Sequence, residues 1–168
     1  MDLIIRKETP EDIEAIENVT IAAFLNAPHT DHNEQFIVRA LRNAGVLSIS
    51  LVAEIQGEVI GHVAISPVTI SDGSQGWFGL GPISVLPRHQ RSGIGSRLMR
   101  KALEELKSTG AAGCVLLGDP AYYSRFGFKT EPYLILPGVP PEYFQAASFC
   151  ESLPKGEVFY HESFNAQN

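Results

Sequence analysis

The pattern of hydrophobic and polar residues predicts a chain of alternating strands and helices. Apolar residues recur at helical spacing in three segments, from 9 to about 26, from 34 to 43 and from 93 to 107. Short apolar or alternating runs, bounded by glycine, proline or polar turns, predict strands at 3–6, 48–55, 58–68, 114–117, 133–136 and 157–161. A further strand is predicted to end at Val85. With a short helix after residue 118, the order β-α-α-β-β-β-α-β-α-β-β predicts a mixed sheet flanked by helices.

The segment from Gln90 to Ser96 connects the strand that ends at Val85 to the long helix that follows. It contains two glycines, Gly93 and Gly95, among polar and basic residues. Backbone N–H groups at a helix start lack carbonyl partners within the helix, and the helix dipole adds positive potential, so such a loop favours a phosphate. Because glycine has no Cβ, the backbone can approach the anion closely. The sequence therefore predicts a pyrophosphate-binding loop, with a glycine-rich turn that only begins a helix as the alternative.

Two other phosphate-binding motifs match this segment less well. A kinase-type P-loop requires a lysine followed by Ser or Thr after its last glycine, whereas Gly95 is followed by Ser96-Arg97 and the next lysine is Lys101. A dinucleotide fingerprint has three glycines and usually lies in the first strand–helix unit, whereas this loop has two and lies in the middle of the chain. A protein that binds another diphosphate here is therefore a weaker alternative.

A second motif follows the predicted strand at 114–117. Asp119 is suited to cap a short helix and Pro120 to occupy its first position. Gly127 is suited to end that helix in a left-handed conformation. Two adjacent tyrosines, Tyr122 and Tyr123, lie between these signals.

The two motifs together resemble those of the GNAT-type N-acetyltransferases. Gln90, Gly93 and Gly95 stand at the defining positions of that superfamily's Gln/Arg-x-x-Gly-x-Gly loop. The segment that ends in Gly127-Phe128 is similar to its Ala-x-x-Tyr-x-(Lys/Arg)-x-Gly-Phe segment. The resemblance is firmest over residues 57–128. It implies one domain over residues 1–168, of α/β (α+β) class, with a mixed, mostly antiparallel central sheet of about seven strands flanked by about four helices.

This resemblance implies acetyl-CoA as cosubstrate, no metal, and transfer of the acetyl group to a primary amine. Tyr123 takes the place of the tyrosine that protonates the departing thiolate, and Tyr122 is its rival if the register shifts by one residue. The segment from Gly81 to Val85 is expected to splay from its neighbour and to bind the pantetheine arm through its backbone. The predicted cofactor-binding residues are Ile83, Ser84, Val85, Gln90, Arg91, Ser92, Gly93, Ile94, Gly95, Ser96, Asp119, Tyr122 and Arg125.

The general base does not stand out from the sequence. Many relatives carry a glutamate on the strand before the loop, but the run from Trp77 to Val85 contains no acid. The candidates elsewhere are Glu34, His29, His32, Asp31 and, through a water, Ser84, and the alternative is an amine that arrives already neutral. Glu34 and His29 are also the candidate substrate-binding residues, because the segments 9–45 and 137–149 are expected to form the two walls of the acceptor cleft.

The spacing of His29 and His32 is that of some zinc-binding pairs. No cysteine lies close in sequence, and no glutamate follows in a His-Glu-x-x-His frame. A solvated loop is the better interpretation, so no metal site is predicted.

Composition limits the partners that the chain is expected to have. Its 168 residues carry a formal net charge of −6, which disfavours a nucleic-acid surface and weakly favours a cationic or neutral acceptor. Two cysteines are too few for a disulfide framework, and no run is apolar enough to span a bilayer. We therefore expect a cytoplasmic protein that binds neither nucleic acid nor membrane. A homodimer is left open, as is a catalytically weak acyl-CoA-binding regulatory module.

Overall fold

The computed structural model describes residues 2–28 and 30–168, which have the mixed α/β architecture that the sequence predicts. Its strands are β1 (Leu3–Lys7), β2 (Ile49–Ile55), β3 (Glu58–Ile70), β4 (Trp77–Val85), β5 (Gly113–Leu117), β6 (Leu134–Ile135), β7 (Phe144–Ser148) and β8 (Gly156–Tyr160). Its helices are α1 (Ile13–Phe24), α2 (Glu34–Asn43), α3 (Ile94–Ser108) and α4 (Pro120–Tyr123).

The strands form a mostly antiparallel sheet in the order β1-β2-β3-β4-β5-β7, and β8 pairs with the end of β3. β4 and β5 run parallel and pair only over 77–79 and 113–115, so the two strands separate beyond these residues. On its other edge, β4 shifts register against β3 between Val63 and Ile65, opposite Gly81 and Pro82. The expected splay of the segment before the glycine loop is confirmed.

The sheet is covered on both faces. Because successive residues of a strand point to opposite faces, Leu51 and Val52 of β2 belong to different layers. Leu51 is buried in the cluster that includes Leu98 and Leu106 of α3. Val52 packs with residues of α1 and α2 in a smaller cluster. Helix α3 therefore covers one face, and its first turn lies at the point where β4 ends.

The sequence predicts about seven strands, and the described residues form eight. The additional strand is β7, which pairs with β5 along its full length. Its sequence, Phe-Gln-Ala-Ala-Ser, has neither clear alternation nor β-branched residues, so its local preference for a strand is weak. The buried side chain of Gln145 donates to the carbonyl of Gly118 at 2.8 Å. Pairing with β5 and this contact, rather than local preference, account for the strand.

Candidate functional site

The glycine loop forms the turn that begins α3. Gly93 precedes the helix and has a φ of 87°, a left-handed conformation that favours glycine. The side-chain amide of Gln90 donates to the carbonyl of Val85 at 2.9 Å. This hydrogen bond fixes the loop against the end of β4, beside the gap that opens between β4 and β5.

A cleft of about 630 Å³ lies where the loop, β4 and α4 meet. Its lining consists of Ile83, Val85, Gln90, Arg91, Gly93, Gly95, Ser96, Tyr122, Tyr123 and Arg125. Each of these residues was predicted from the sequence to bind the cofactor or to act in catalysis. A β-carbon added to Gly95 would approach only the hydroxyl of Tyr122, 3.8 Å away. The space beside the first turn of α3 is therefore open to a ligand.

The two adjacent tyrosines of α4 have different surroundings in this cleft. The hydroxyl of Tyr122 lies 2.9 Å from that of Ser96, and the guanidinium of Arg125 stacks 4.4 Å from the Tyr122 ring centre. The ring of Tyr123 packs against Gly118, and its hydroxyl makes no hydrogen bond to any residue that the structure describes. Burial, reinforced by Tyr122 and Asp119, raises the pKa of Tyr123. Its phenol therefore stays protonated at neutral pH, and its hydroxyl is not engaged by any described residue.

Four of the predicted cofactor-binding residues have side chains outside the lining of the cleft. Ser84 and Ile94 are buried. The hydroxyl of Ser92 donates to the carbonyl of His89, and the carboxylate of Asp119 accepts from the N–H of Ala121 at 2.9 Å, which caps α4. These residues can shape the loop and α4 or offer backbone groups, but their side chains do not line the cleft.

A second cavity, of about 440 Å³, lies on the other side of the β4 irregularity. Its lining is Phe24, Glu34, Ile37, Leu80, Gly81, Pro82, Leu117, Leu136, Pro137, Val139, Tyr160 and Phe164. The segments that were expected to form the two walls of an acceptor cleft thus meet around one cavity, although residues 144–148 of the second segment are β7 of the sheet. Glu34 and Tyr160 are its two polar side chains among the described residues.

The other candidates for a general base lie outside both cavities or outside the described residues. Asp31 and His32 are exposed, and His29 falls in the part of the chain that the structure does not describe. Ser84 lies between Ile83 and Val85, which face the cleft, so its side chain points to the opposite face of β4. Of the candidates that can be placed, Glu34 is the one that lines a cavity.

A chain of polar side chains that links α2 to β3 is not apparent from the sequence. Arg42 donates to both carboxylate oxygens of Glu8, at 2.8 and 2.9 Å, and Glu8 accepts from the hydroxyl of Ser50. Ser50 Oγ lies 2.7 Å from Nε2 of His62, which is fully buried. Burial lowers the pKa of His62 to about 4. The sequence signal was one histidine in a mostly apolar strand, and it does not indicate which residues His62 contacts.

Arg42, Glu8 and Ser50 line a separate cavity of about 550 Å³ near the end of α3. None of the glycine-loop residues lies in its lining. Across residues 2–28 and 30–168, no three His, Cys, Asp or Glu side chains are grouped so that they could hold a metal ion. Within the same ranges, every helix is too short or too polar to cross a membrane.

Comparison with known proteins gives consistent matches over nearly the whole chain. A family model described as "Acetyltransferase (GNAT) domain" matches residues 4–130. The protein named "Uncharacterized N-acetyltransferase YhbS" from Escherichia coli (strain K12) is 35% identical over 171 residues, which cover 97% of this chain and 99% of that protein.

Two similar proteins have solved structures with a coenzyme bound. A GNAT family acetyltransferase from Brucella melitensis, in complex with acetyl-CoA, is 48% identical, with a TM-score of 0.87 and coverage of 97% of this chain and 98% of that one. The YhbS structure from Escherichia coli, in complex with CoA, is 33% identical, with a TM-score of 0.87 and coverage of 99% and 93%.

Proposed function

Because the chain belongs to the GNAT acetyltransferase family, we propose that it transfers the acetyl group of acetyl-CoA to a primary amine of a small molecule or protein. The observation that carries this proposal is the cleft at the start of α3, whose lining combines the glycine loop, the free edge of β4 and Tyr123. The similar proteins crystallised with acetyl-CoA and CoA support the same ligand.

The glycine loop would hold the diphosphate of acetyl-CoA. N–H groups in the first turn of α3 have no acceptor within the helix and carry the positive end of the helix dipole. Gly93 and Gly95 leave the backbone accessible, and Arg91 and Arg125 add positive charge to the lining. These features match a ligand with two adjacent phosphates.

The edge of β4 would hold the pantetheine arm and the thioester. Because β4 and β5 stop pairing after Gly79 and Val115, the backbone of β4 beyond this point is not committed to the neighbouring strand. Its N–H groups can polarise the thioester carbonyl, as oxyanion-stabilising donors do. The cleft and the second cavity share this strand, since Ile83 lines one and Pro82 the other. The acceptor would therefore approach the thioester from the second cavity.

Transfer requires two proton movements. The amine nitrogen attacks the thioester carbonyl carbon, so that an N–C bond forms, the C–S bond breaks and the nitrogen loses one proton to solvent. The departing sulfur takes a proton from the hydroxyl of Tyr123, which regains one from solvent. The pKa of Tyr123, raised mainly by burial, keeps the phenol protonated until the thiolate forms.

We place the protein in the cytoplasm as a single catalytic domain. Cys114 and Cys150 are free thiols, which is compatible with a reducing compartment.

Calorimetric titration and a thiol-release assay test the proposal. We expect the purified protein to bind acetyl-CoA, not to bind ATP at comparable concentration, and to release CoA thiol faster when a primary amine is added. Binding of acetyl-CoA with no amine-dependent release, across a broad panel of amines, would favour the regulatory binding module. Absence of acetyl-CoA binding would refute both.

A further inference from the structure

The cavity that contains Glu34 has one charged group, and the rest of its lining is apolar except for the hydroxyl of Tyr160. Carboxylate oxygen Oε2 of Glu34 accepts a hydrogen bond from the hydroxyl of Thr30. The second oxygen, Oε1, is buried and has no hydrogen-bond partner among the described residues. A buried carboxylate oxygen without a donor is costly, because it has lost water and gained nothing in return. A ligand that donates to Oε1 would remove this penalty, and a cationic donor would do so most effectively.

The rest of the lining selects against a ligand with more polar groups. Its apolar side chains come from α1, α2, β4 and the segments after β6 and β8, among them Phe24, Ile37, Leu80, Leu136, Val139 and Phe164. A second ammonium group or several hydroxyls placed against these side chains would lose their water without finding partners. The hydroxyl of Tyr160, which is also buried without a partner, could satisfy one polar substituent at most.

The cavity is of a size that fits the body of a small ligand. Its volume of about 440 Å³ lies within the range of small-molecule sites, roughly 300–1,000 Å³. Gly81 and Pro82 form part of its lining, and Ile83 belongs to the neighbouring cofactor cleft. An amine in this cavity therefore lies next to the strand that would carry the thioester.

We propose that the acceptor is a monoamine with an alkyl or arylalkyl body, which binds in this cavity with its ammonium group on Oε1 of Glu34. This inference rests on the proposed function, because it names the acceptor class for the same transfer. Loss of one proton from the bound ammonium to solvent gives the neutral amine that attacks the thioester. The apolar body contributes affinity by leaving water, and Glu34 selects the cationic end.

A panel of amines with the wild-type protein tests the class of acceptor. We expect 2-phenylethylamine and hexylamine to exceed spermidine and kanamycin at least tenfold in kcat/KM for thiol release. Along a series from propylamine to hexylamine, kcat/KM should rise about three- to fourfold per methylene, the factor that corresponds to about 0.8 kcal/mol of burial. Equal or higher kcat/KM for spermidine, kanamycin or a lysine-containing peptide would overturn the proposal.

Substitution of Glu34 tests the site of the ammonium group. Glu34→Gln should raise the KM for hexylamine at least tenfold and leave the calorimetric Kd for acetyl-CoA unchanged. The matched control is Glu14→Gln, which removes the same charge from an exposed position on α1 and should change neither constant. An unchanged KM in Glu34→Gln would overturn the assignment of Glu34.

A binding experiment separates failure of this inference from failure of the proposed function. With CoA bound, hexylamine should bind to the wild-type protein more tightly than hexanol, which has the same body without the charge, and Glu34→Gln should remove most of the difference. Tight acetyl-CoA binding and turnover with polar amines only would overturn the acceptor class and leave the acetyltransferase assignment intact. Loss of acetyl-CoA binding and of all turnover would refute the proposed function itself.

Discussion

The hydroxyl groups of Ser96 and Tyr122 lie 2.9 Å apart and join the first turn of α3 to α4. Each hydroxyl is the hydrogen-bond partner of the other, so Tyr122 helps to hold these two helices together. Its neighbour Tyr123 lines the same cleft with a hydroxyl that is not bonded to any described residue. This difference favours a bracing role for Tyr122 and supports our proposal that Tyr123 is the proton donor. The two substitutions to phenylalanine can be compared directly.

Tyr123→Phe should lower kcat by about a hundredfold or more, the usual contribution of a positioned general acid. Packing is retained because the substitution removes one oxygen atom, so the calorimetric Kd for acetyl-CoA should change little. Tyr122→Phe is the control, and it should lower kcat less while weakening acetyl-CoA binding. If Tyr123→Phe keeps full activity and Tyr122→Phe is slow, Tyr122 is the proton donor and Tyr123 has the structural role. Full activity of both would assign thiolate protonation to water.

Gly118→Ala should lower kcat by displacing Tyr123. A β-carbon at residue 118 would overlap Cε2 of the Tyr123 ring, so the ring must move. The measurement is a double-mutant cycle on kcat with Gly118→Ala and Tyr123→Phe. If Gly118 acts by positioning Tyr123, the double variant is no slower than Tyr123→Phe alone. Additive losses would show that Gly118→Ala damages the site in another way.

Gly95→Val should weaken acetyl-CoA binding at least tenfold. The open space beside Gly95 is bounded by the Tyr122 hydroxyl, and the valine methyl groups would occupy part of it. Gly95 is a better test than Gly93, whose left-handed φ makes any substitution strained whatever the ligand. Glu104→Val, on an exposed part of the same helix, is the control and should keep its affinity. Unchanged affinity in folded Gly95→Val would contradict the diphosphate assignment.

His62 should make the stability of the fold depend on pH. Burial lowers its pKa from 6.5 to about 4, so between these values the unfolded chain binds a proton that the folded chain does not. Stability is therefore full above about pH 6.5 and falls as pH drops towards 4. Between pH 7 and pH 5 the loss is about 2 kcal/mol in the free energy of unfolding.

Urea unfolding at pH 7 and pH 5 measures this loss, with His62→Gln as the comparison. The glutamine variant has no proton to bind and should lose about 2 kcal/mol less than the wild type over that interval. Burial opposes ionisation of Glu8, but hydrogen bonds from Arg42 and Ser50 outweigh it and lower its pKa. Its contribution is therefore lost at a lower pH than that of His62, outside most of the interval. Equal losses in the two proteins would contradict the buried, neutral state of His62.

The parts of the molecule that could be predicted from sequence are those encoded locally. Helix α2 begins and ends at the predicted residues, Glu34 and Asn43, because its apolar positions recur at helical spacing. The glycine loop could be recognised because Gln90, Gly93 and Gly95 are close together in sequence. The lining of the proposed cofactor cleft followed from that loop, the strand before it and one further motif.

The parts that could not be predicted are assembled from distant segments. β7 becomes a strand through its pairing with β5, which lies outside its own sequence. The cavity around Glu34 takes residues from α1, α2, β4 and the region after β6, so its apolar character appears only once these segments meet. Likewise, the sequence shows His62 only as a polar residue in a strand. The fold brings Ser50 next to it and Glu8 next to Ser50.

Because β4 separates early from β5, the two proposed ligand sites are built from different kinds of chemical group. One site would use main-chain groups along a free strand edge, which survive most changes of side chain. The other is defined by side chains such as Ile37, Leu136 and Val139. Replacing those residues offers a route to redesign which amine is accepted, with little change in affinity for the acetyl donor. The same division would let related chains diverge in acceptor while they retain a common donor.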